Sequence, residues 1–233
     1  IIVGAIMYSI QIYADFSGCV DISRGISQCL GIDLARNFNH PYFAVSVQDF
    51  WRRWHISLSS WLKDYVYIPL GGSRKGMVRK YLNVLIVFAV SGLWHGTGLN
   101  YFIWGLLHGV YQIIDALTAG VRSRVYAAIG VATESWSFSF GRKIATFVAV
   151  TFAWIFFRAQ SAGHACTMIR RACTFNPWTF SDGTMLKFGL DAPDLFVLVA
   201  AVGILVLVSH LQERFSVREA LARQTLWFRW SIA

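Results

Sequence analysis

The sequence predicts an all-α, polytopic membrane protein, and three observations carry that prediction. The chain is 56% hydrophobic and only 14% charged over 233 residues, whereas a soluble domain carries about 25% charged residues. The apolar residues recur in runs along the whole chain rather than in one segment. Aromatic residues reach 16%, with ten Trp, which suits side chains that sit at bilayer interfaces. The formal charge of +9 lies in short clusters between the apolar runs, as expected of loops that meet anionic lipid headgroups. No motif of a nucleic-acid-binding module is present, so membrane lipid is the expected partner and nucleic acid is not.

Residues 1–13 form an apolar run without an initiating Met, which reads as the end of a longer membrane helix. The expected unit is a single membrane domain over 1–233, with N-terminal helices missing. Asp15, Gly18, Asp21 and Arg24 follow at a spacing of three and share one helical face. That face is either a helix end at the membrane surface or a polar stripe toward a cavity. Residues 31–41 read as a loop closed by the breaker Asn39-His40-Pro41, with His40 exposed.

Residues 47–62 predict one helix, because Trp51, Trp54, Leu58, Trp61 and Leu62 recur at helical spacing. It is too short and too charged to cross a bilayer, which takes about 20 mostly apolar residues. An interfacial or re-entrant helix fits better. Pro69-Leu-Gly-Gly72 ends it, and 73–80 is a basic loop. Residues 81–94 begin a membrane helix, with an interruption at His95 where Gly96-Thr-Gly98 follows. Broken helices at membrane depth are tolerated where they line a cavity.

Residues 100–117 give the next span, with His108 either lining the same cavity or packing between helices bonded to a neighbour. A polar loop covers 120–143. Residues 144–157 give a span that suffices if the bilayer thins slightly. A mixed loop over 161–194 contains a short helix near 165–173 and a turn at Asn176-Pro177-Trp178. Residues 195–209 form a final span, and 213–233 a basic amphipathic tail. The basic residues of 73–80, 120–143 and the tail fall on one side if the spans alternate, and that side is expected to be cytoplasmic. Cys19, Cys29, Cys166 and Cys173 lack paired C-x-x-C spacing and read as reduced thiols packed among helices.

The candidate chemistry rests on histidine. An ionisable group within an apolar span is costly and reads as functional by default. His95 lies in Ser91-Gly-Leu-Trp-His-Gly96, and His55 in Asp49-Phe-Trp-Arg-Arg-Trp-His55. Burial of His95 beside Trp94 favours the neutral imidazole, which accepts a proton when a hydroxyl attacks an acyl carbon. Gly92 and Gly96 on either side leave room for substrate. No metal site is expected, since neither histidine belongs to an H-E-x-x-H or Cys/His cluster. No P-loop or G-x-S-x-G elbow supports the corresponding chemistries.

The stretch Asp49 to Gly76, with Tyr67-Ile-Pro-Leu-Gly-Gly72 inside it, resembles the signature of the membrane-bound O-acyltransferases. Ser91-Gly-Leu-Trp-His-Gly96 with Ile103-Trp-Gly-Leu-Leu-His-Gly109 resembles the second signature, and Asp15-Phe-Ser-Gly18 and Trp154-Ile-Phe-Phe-Arg-Ala159 resemble flanking motifs. The Tyr-Ile-Pro-Leu-Gly-Gly form is similar to the branch of alginate O-acetylation, with teichoic-acid D-alanylation a close relative. The resemblance implies a multi-helix fold with a central funnel, in the bacterial inner membrane. It implies His95 as catalytic residue and His55 as its active-site companion. Arg52, Arg53, Trp54, Trp94, Asp15 and His108 are candidate contacts for substrate or donor, the two arginines being either phosphate ligands or interfacial anchors. No bound cofactor is implied. Acetyl-coenzyme A or an acyl carrier enters as donor substrate, and the acceptor is an envelope polysaccharide such as alginate or a periplasmic, esterase-like relay protein. D-alanyl transfer, and a proton-coupled transporter without acyl chemistry, are the alternatives. A transporter commonly shows two related halves, and no internal repeat is visible.

Overall fold

In the computed structural model the described residues are 1–174, 183, 191–212 and 215–231. All regular elements among them are helical. They fall into two compact units, Ile1–Thr174 and Phe175–Ala233. Among the described residues four helices are long and apolar enough to cross a membrane: Met77–His95, Leu99–Ala128, Trp136–Arg158 and Ala192–Gln212. The chain is thus a multi-pass, all-α membrane protein.

The first unit opens with α1 (Ile2–Cys29) and a 3-10 turn at Pro41–Phe43. Then come α2 (Val47–Arg53) and α3 (Ile56–Leu62), followed by a single π-type turn at Lys63–Tyr67. Helices α4 (Met77–His95), α5 (Leu99–Ala128), α6 (Trp136–Arg158) and α7 (Ala162–Ala172) complete it. The apolar run at the start and the polar stripe after it are therefore one continuous helix. The expected 120–143 loop shrinks to the few residues between α5 and α6, because both helices extend past their apolar stretches. Arg122 and Arg124 lie on the last turns of α5, and Arg142 and Lys143 lie inside α6.

Helices α4 and α5 form an antiparallel hairpin joined by residues 96–98, and glycine sets how closely they pack. A β-carbon on Gly105 would strike the carbonyl oxygen of Phe88, and one on Gly92 would strike the carbonyl of Tyr101. Small residues at such crossings let helix backbones approach in a bilayer. A β-carbon on Gly96 would meet the Tyr101 ring at 2.6 Å. The room at Gly92 and Gly96, expected to serve substrate, is taken by α5.

Helix α6 packs on α5 and α1. Ser9 Oγ lies 3.0 Å from Thr151 Oγ1, and the Tyr42 hydroxyl donates to the Ser9 carbonyl. The core between these helices is aromatic: Phe50, Trp51, Trp54, Trp104 and Trp154 are all buried. Arg74, Lys75, Arg79, Lys80, Arg122, Arg124, Arg142 and Lys143 gather at one end of the α4–α6 layer, because successive helices run antiparallel. Arg158 lies at the other end, on the last turn of α6.

Two smaller expectations change. His40 is half-buried rather than exposed. All four cysteines are exposed on the protein surface rather than packed among helices. The short helix expected near 165–173 is α7. The turn at Asn176-Pro177-Trp178 lies outside the described residues. In the second unit, α8 (Ala192–Gln212) is followed by two short helices, α9 (Val217–Ala222) and α10 (Leu226–Ser231).

Candidate active site

The expected helix over 47–62 is broken in two at His55. Helix α2 starts at Ser46, whose hydroxyl accepts from Asp49 N at 3.0 Å. Asp49 reaches back to accept from Val45 N at 3.1 Å, one residue ahead of the cap, and so ties the incoming chain to the first turn. Arg53 Nε donates to Asp49 Oδ1 at 2.9 Å and is half-buried over it. Trp54 then turns to extended geometry, and His55 adopts φ 44°, ψ 55°. Left-handed geometry is uncommon outside glycine, though His is enriched in it. Such residues cluster at functional sites, where the surroundings hold them.

Two things hold this one. Trp54 is locked in the aromatic core, stacked on Phe50 at 5.4 Å and set edge-on to Phe38 at 5.0 Å. Asn37 takes the backbone groups freed by the break. Its carbonyl accepts from Ile56 N at 3.0 Å, and its side chain accepts from Ser57 N at 3.1 Å and Ser57 Oγ at 2.6 Å. Helical periodicity could not reveal the break, because the apolar spacing runs straight through it.

His95 is the last residue of α4, at the interruption the glycines predict. Asn100, buried at the start of α5, donates to the carbonyls of Phe156 at 3.3 Å and Ala159 at 2.9 Å. That ties the start of α5 to the end of α6 and fixes the link beyond His95. The His95 ring lies edge-on to Trp104 at 5.1 Å and to Phe157 at 5.2 Å. Trp94, expected to bury it, is 67% exposed and faces Trp61 instead.

His55 and His95 line one cleft of about 540 Å³, within the range of roughly 300–1,000 Å³ typical of ligand sites. Trp54, Trp104, Trp154 and Phe157 give it apolar walls, and Tyr8, Gln11 and Asp15 of α1 add polar groups. The His55 ring packs edge-on against Phe16 at 4.8 Å. Its Nδ1 is buried with no hydrogen-bond partner among the described residues. Burial holds the His55 imidazole below the ordinary histidine range, so it is neutral at neutral pH.

Of the other candidates, Trp54 and Asp15 line the cleft. His108 does not. It is fully buried, walled by Trp51, Trp104 and Phe50 at 5.1, 5.2 and 6.3 Å. Neither ring nitrogen has a hydrogen-bond partner among the described residues, so the neighbour-bonded packing expected of it is absent there. Arg52 is exposed and Arg53 is held by Asp49. Tyr8 and Gln11 escaped the sequence reading, although their spacing to Asp15 places all three on one helical face. A Gln inside an apolar run was the available signal.

The described residues contain no group of three or more His, Cys, Asp or Glu placed to hold a metal ion. The arrangement instead offers two imidazoles and an exposed carboxylate in a largely apolar cleft. An imidazole in such a place can take a proton from an attacking hydroxyl and return it to a leaving group.

Known proteins resemble this sequence. The model of the membrane-bound O-acyltransferase family, MBOAT, matches residues 1–159, which include every residue of the cleft. The probable alginate O-acetylase AlgI of Pseudomonas syringae pv. tomato is 37% identical over 212 residues, covering 91% of this chain and 39% of that protein. The peptidoglycan O-acetyltransferase of Helicobacter pylori is 43% identical over 169 residues, covering 71% of this chain and 30% of its own length. The teichoic acid D-alanyltransferase of Bacillus subtilis is 36% identical over 110 residues, 44% of this chain and 28% of that one. The chain spans about two-fifths or less of the length of these relatives. With the family model covering more than half of its residues, the chain belongs to the membrane-bound O-acyltransferase family.

Proposed function

We propose that this chain carries the catalytic centre of an O-acetyltransferase of the bacterial inner membrane that modifies an exported envelope polysaccharide. The observation that carries the reading is the meeting of His55 and His95, distant in sequence, in one aromatic-walled cleft. The relatives named for alginate and peptidoglycan O-acetylation support an acetyl group and a polymeric acceptor. The basic end of α4–α6 faces the cytoplasm, where acetyl-coenzyme A is the donor.

In the reaction the acceptor oxygen attacks the acetyl carbonyl carbon and its proton passes to the His95 imidazole. The carbon–sulfur bond of the thioester breaks, and the departing thiolate takes that proton. The products are an acetyl ester and free thiol, and His95 returns to its neutral form. His55 donates a hydrogen bond that orients or polarises the acetyl carbonyl. The acceptor is the polysaccharide itself, such as alginate, or a periplasmic esterase-like protein that relays the acetyl group. Apolar walls exclude the water that would hydrolyse the thioester.

The test is His95→Ala in the full-length protein, with acetyl ester on the envelope polymer measured after release by mild base. General-base catalysis contributes about 10²–10⁴-fold, so ester falls to background while the protein remains in the membrane. Wild-type ester in that variant removes the assignment. The match to a D-alanyltransferase supports a second donor group. D-alanine in place of acetate in the released fraction selects it.

A further inference from the structure

We propose that the cavity between the ends of α5 and α6 binds the phosphate of an anionic phospholipid. The cavity measures about 310 Å³ and is lined by Arg122, Tyr126, Thr133 and Arg142 among others. It shares no residue with the histidine cleft, so the inference stands apart from the acyl-transfer reading.

The two arginines differ. Arg122 is oriented by its own helix: Nη2 meets Asp115 Oδ1 at 2.7 Å and Nη1 donates to Thr118 Oγ1 at 2.9 Å. Arg142 is half-buried, and among the described residues its guanidinium has neither ion pair nor hydrogen bond. Glu134, beside Thr133 in the connection, pairs with neither arginine. The flat fork of donors on Arg142 is unused by the described residues and matches phosphate oxygens. The Tyr126 and Thr133 hydroxyls add donors.

Lipid is favoured over a soluble phosphate by what surrounds the cavity. Trp136, the first residue of α6, is 76% exposed and stacked on Phe140 at 5.1 Å, the placement of an aromatic anchor at headgroup level. Val121, Val125 and Ile144 are exposed on the same stretches of α5 and α6, so apolar surface for acyl chains adjoins the charges. Basic pockets between membrane helices at the cytoplasmic face are suited to acidic headgroups.

The experiment follows thermal unfolding of the full-length protein in detergent as phosphatidylglycerol, phosphatidylcholine or soluble glycerol phosphate is added. Phosphatidylglycerol raises the midpoint with dose and the other two do not. Arg142→Gln weakens the apparent affinity for phosphatidylglycerol about five-fold, while Arg124→Gln responds as wild type. Should Arg142→Gln fail to accumulate, Arg142→Lys carries the test: it keeps the charge, loses the fork and binds more weakly than wild type. Equal protection of wild type and the Arg142 variants overturns the proposal. Protection by glycerol phosphate equal to that by phosphatidylglycerol also overturns it, in favour of a soluble phosphate.

Discussion

The left-handed residue at the α2–α3 break gives the sharpest prediction, because it reverses the usual order of two substitutions. His55→Ala and His55→Gly both remove the imidazole and its edge contact with Phe16. The difference between them therefore reports the backbone at φ 44° and little else. A β-carbon in left-handed geometry costs about 1–2 kcal/mol. Glycine's greater freedom in the unfolded chain offsets roughly 0.4–1 kcal/mol of that. The glycine variant is thus more stable than the alanine variant by about 1 kcal/mol. In a chain of about 150–250 residues that is roughly 2–4 °C in unfolding midpoint, and less in a longer one. Were residues 47–62 one helix, alanine would be favoured by about 1 kcal/mol instead, so the sign alone decides. The assay is thermal unfolding of the two full-length variants in the same detergent, with acetyl ester on the polymer as second readout. Both variants lose transfer alike, since the ring is gone from both. An alanine variant as stable as the glycine variant, or more so, refutes the argument.

Two further outcomes follow from the same structure. Gly105→Ala forces its new methyl against the Phe88 carbonyl in the α4–α5 crossing and destabilises by about 1–3 kcal/mol, whereas Gly120→Ala, which meets nothing within 4 Å, is neutral or stabilising by up to ~1 kcal/mol; matched unfolding midpoints for the two would show that the crossing is not tight. The lowered pKa of His55 means that the native state binds a proton less readily than the unfolded chain, whose imidazole titrates near ~6.5. Its contribution is therefore intact above the unfolded value and is lost as pH falls from there toward the folded one. Against His55→Asn, which also tolerates left-handed geometry, the wild type loses stability as pH falls below the unfolded value of ~6.5. A stability difference flat across that interval counts against a buried neutral imidazole.

What the sequence disclosed, and what it hid, divides along physical lines. Membrane spans were legible because length and apolarity are additive properties of a window, and Met77–His95 ends at the residue where the glycines say it must. Helix ends beyond the apolar stretch were not legible. Residues such as Arg122 and Arg142 support helix as well as loop, and nothing in their charge marks where the chain turns. The break at His55 was hidden for a different reason. Trp51, Trp54 and Leu58 keep helical spacing across it, yet what breaks the helix is a tertiary event, the locking of Trp54 among distant rings. The pairing of Trp94 with His95 shows the same limit. Neighbours in sequence point to different faces of a helix, and the rings that reach His95 come from α5 and α6.

One economy underlies both halves of the cleft. Each histidine of the cleft sits where a helix starts or stops, and a helix end leaves backbone groups that hydrocarbon cannot satisfy. In this chain three asparagines bind backbone groups at helix ends and turns. Asn37 accepts from the first amides of α3 beside His55. Asn100 donates to the last carbonyls of α6, across the link from His95. Asn83, fully buried in α4, donates to Leu70 and Gly72 at 3.3 and 2.9 Å and holds the turn of positive-φ Gly71 and Gly72 that ends the His55 segment. A side-chain amide serves because it offers donor and acceptor from one short stem without carrying charge. Asp49 and Arg53 brace the helix that leads into His55, so the stretch around this histidine carries its structural supports as well.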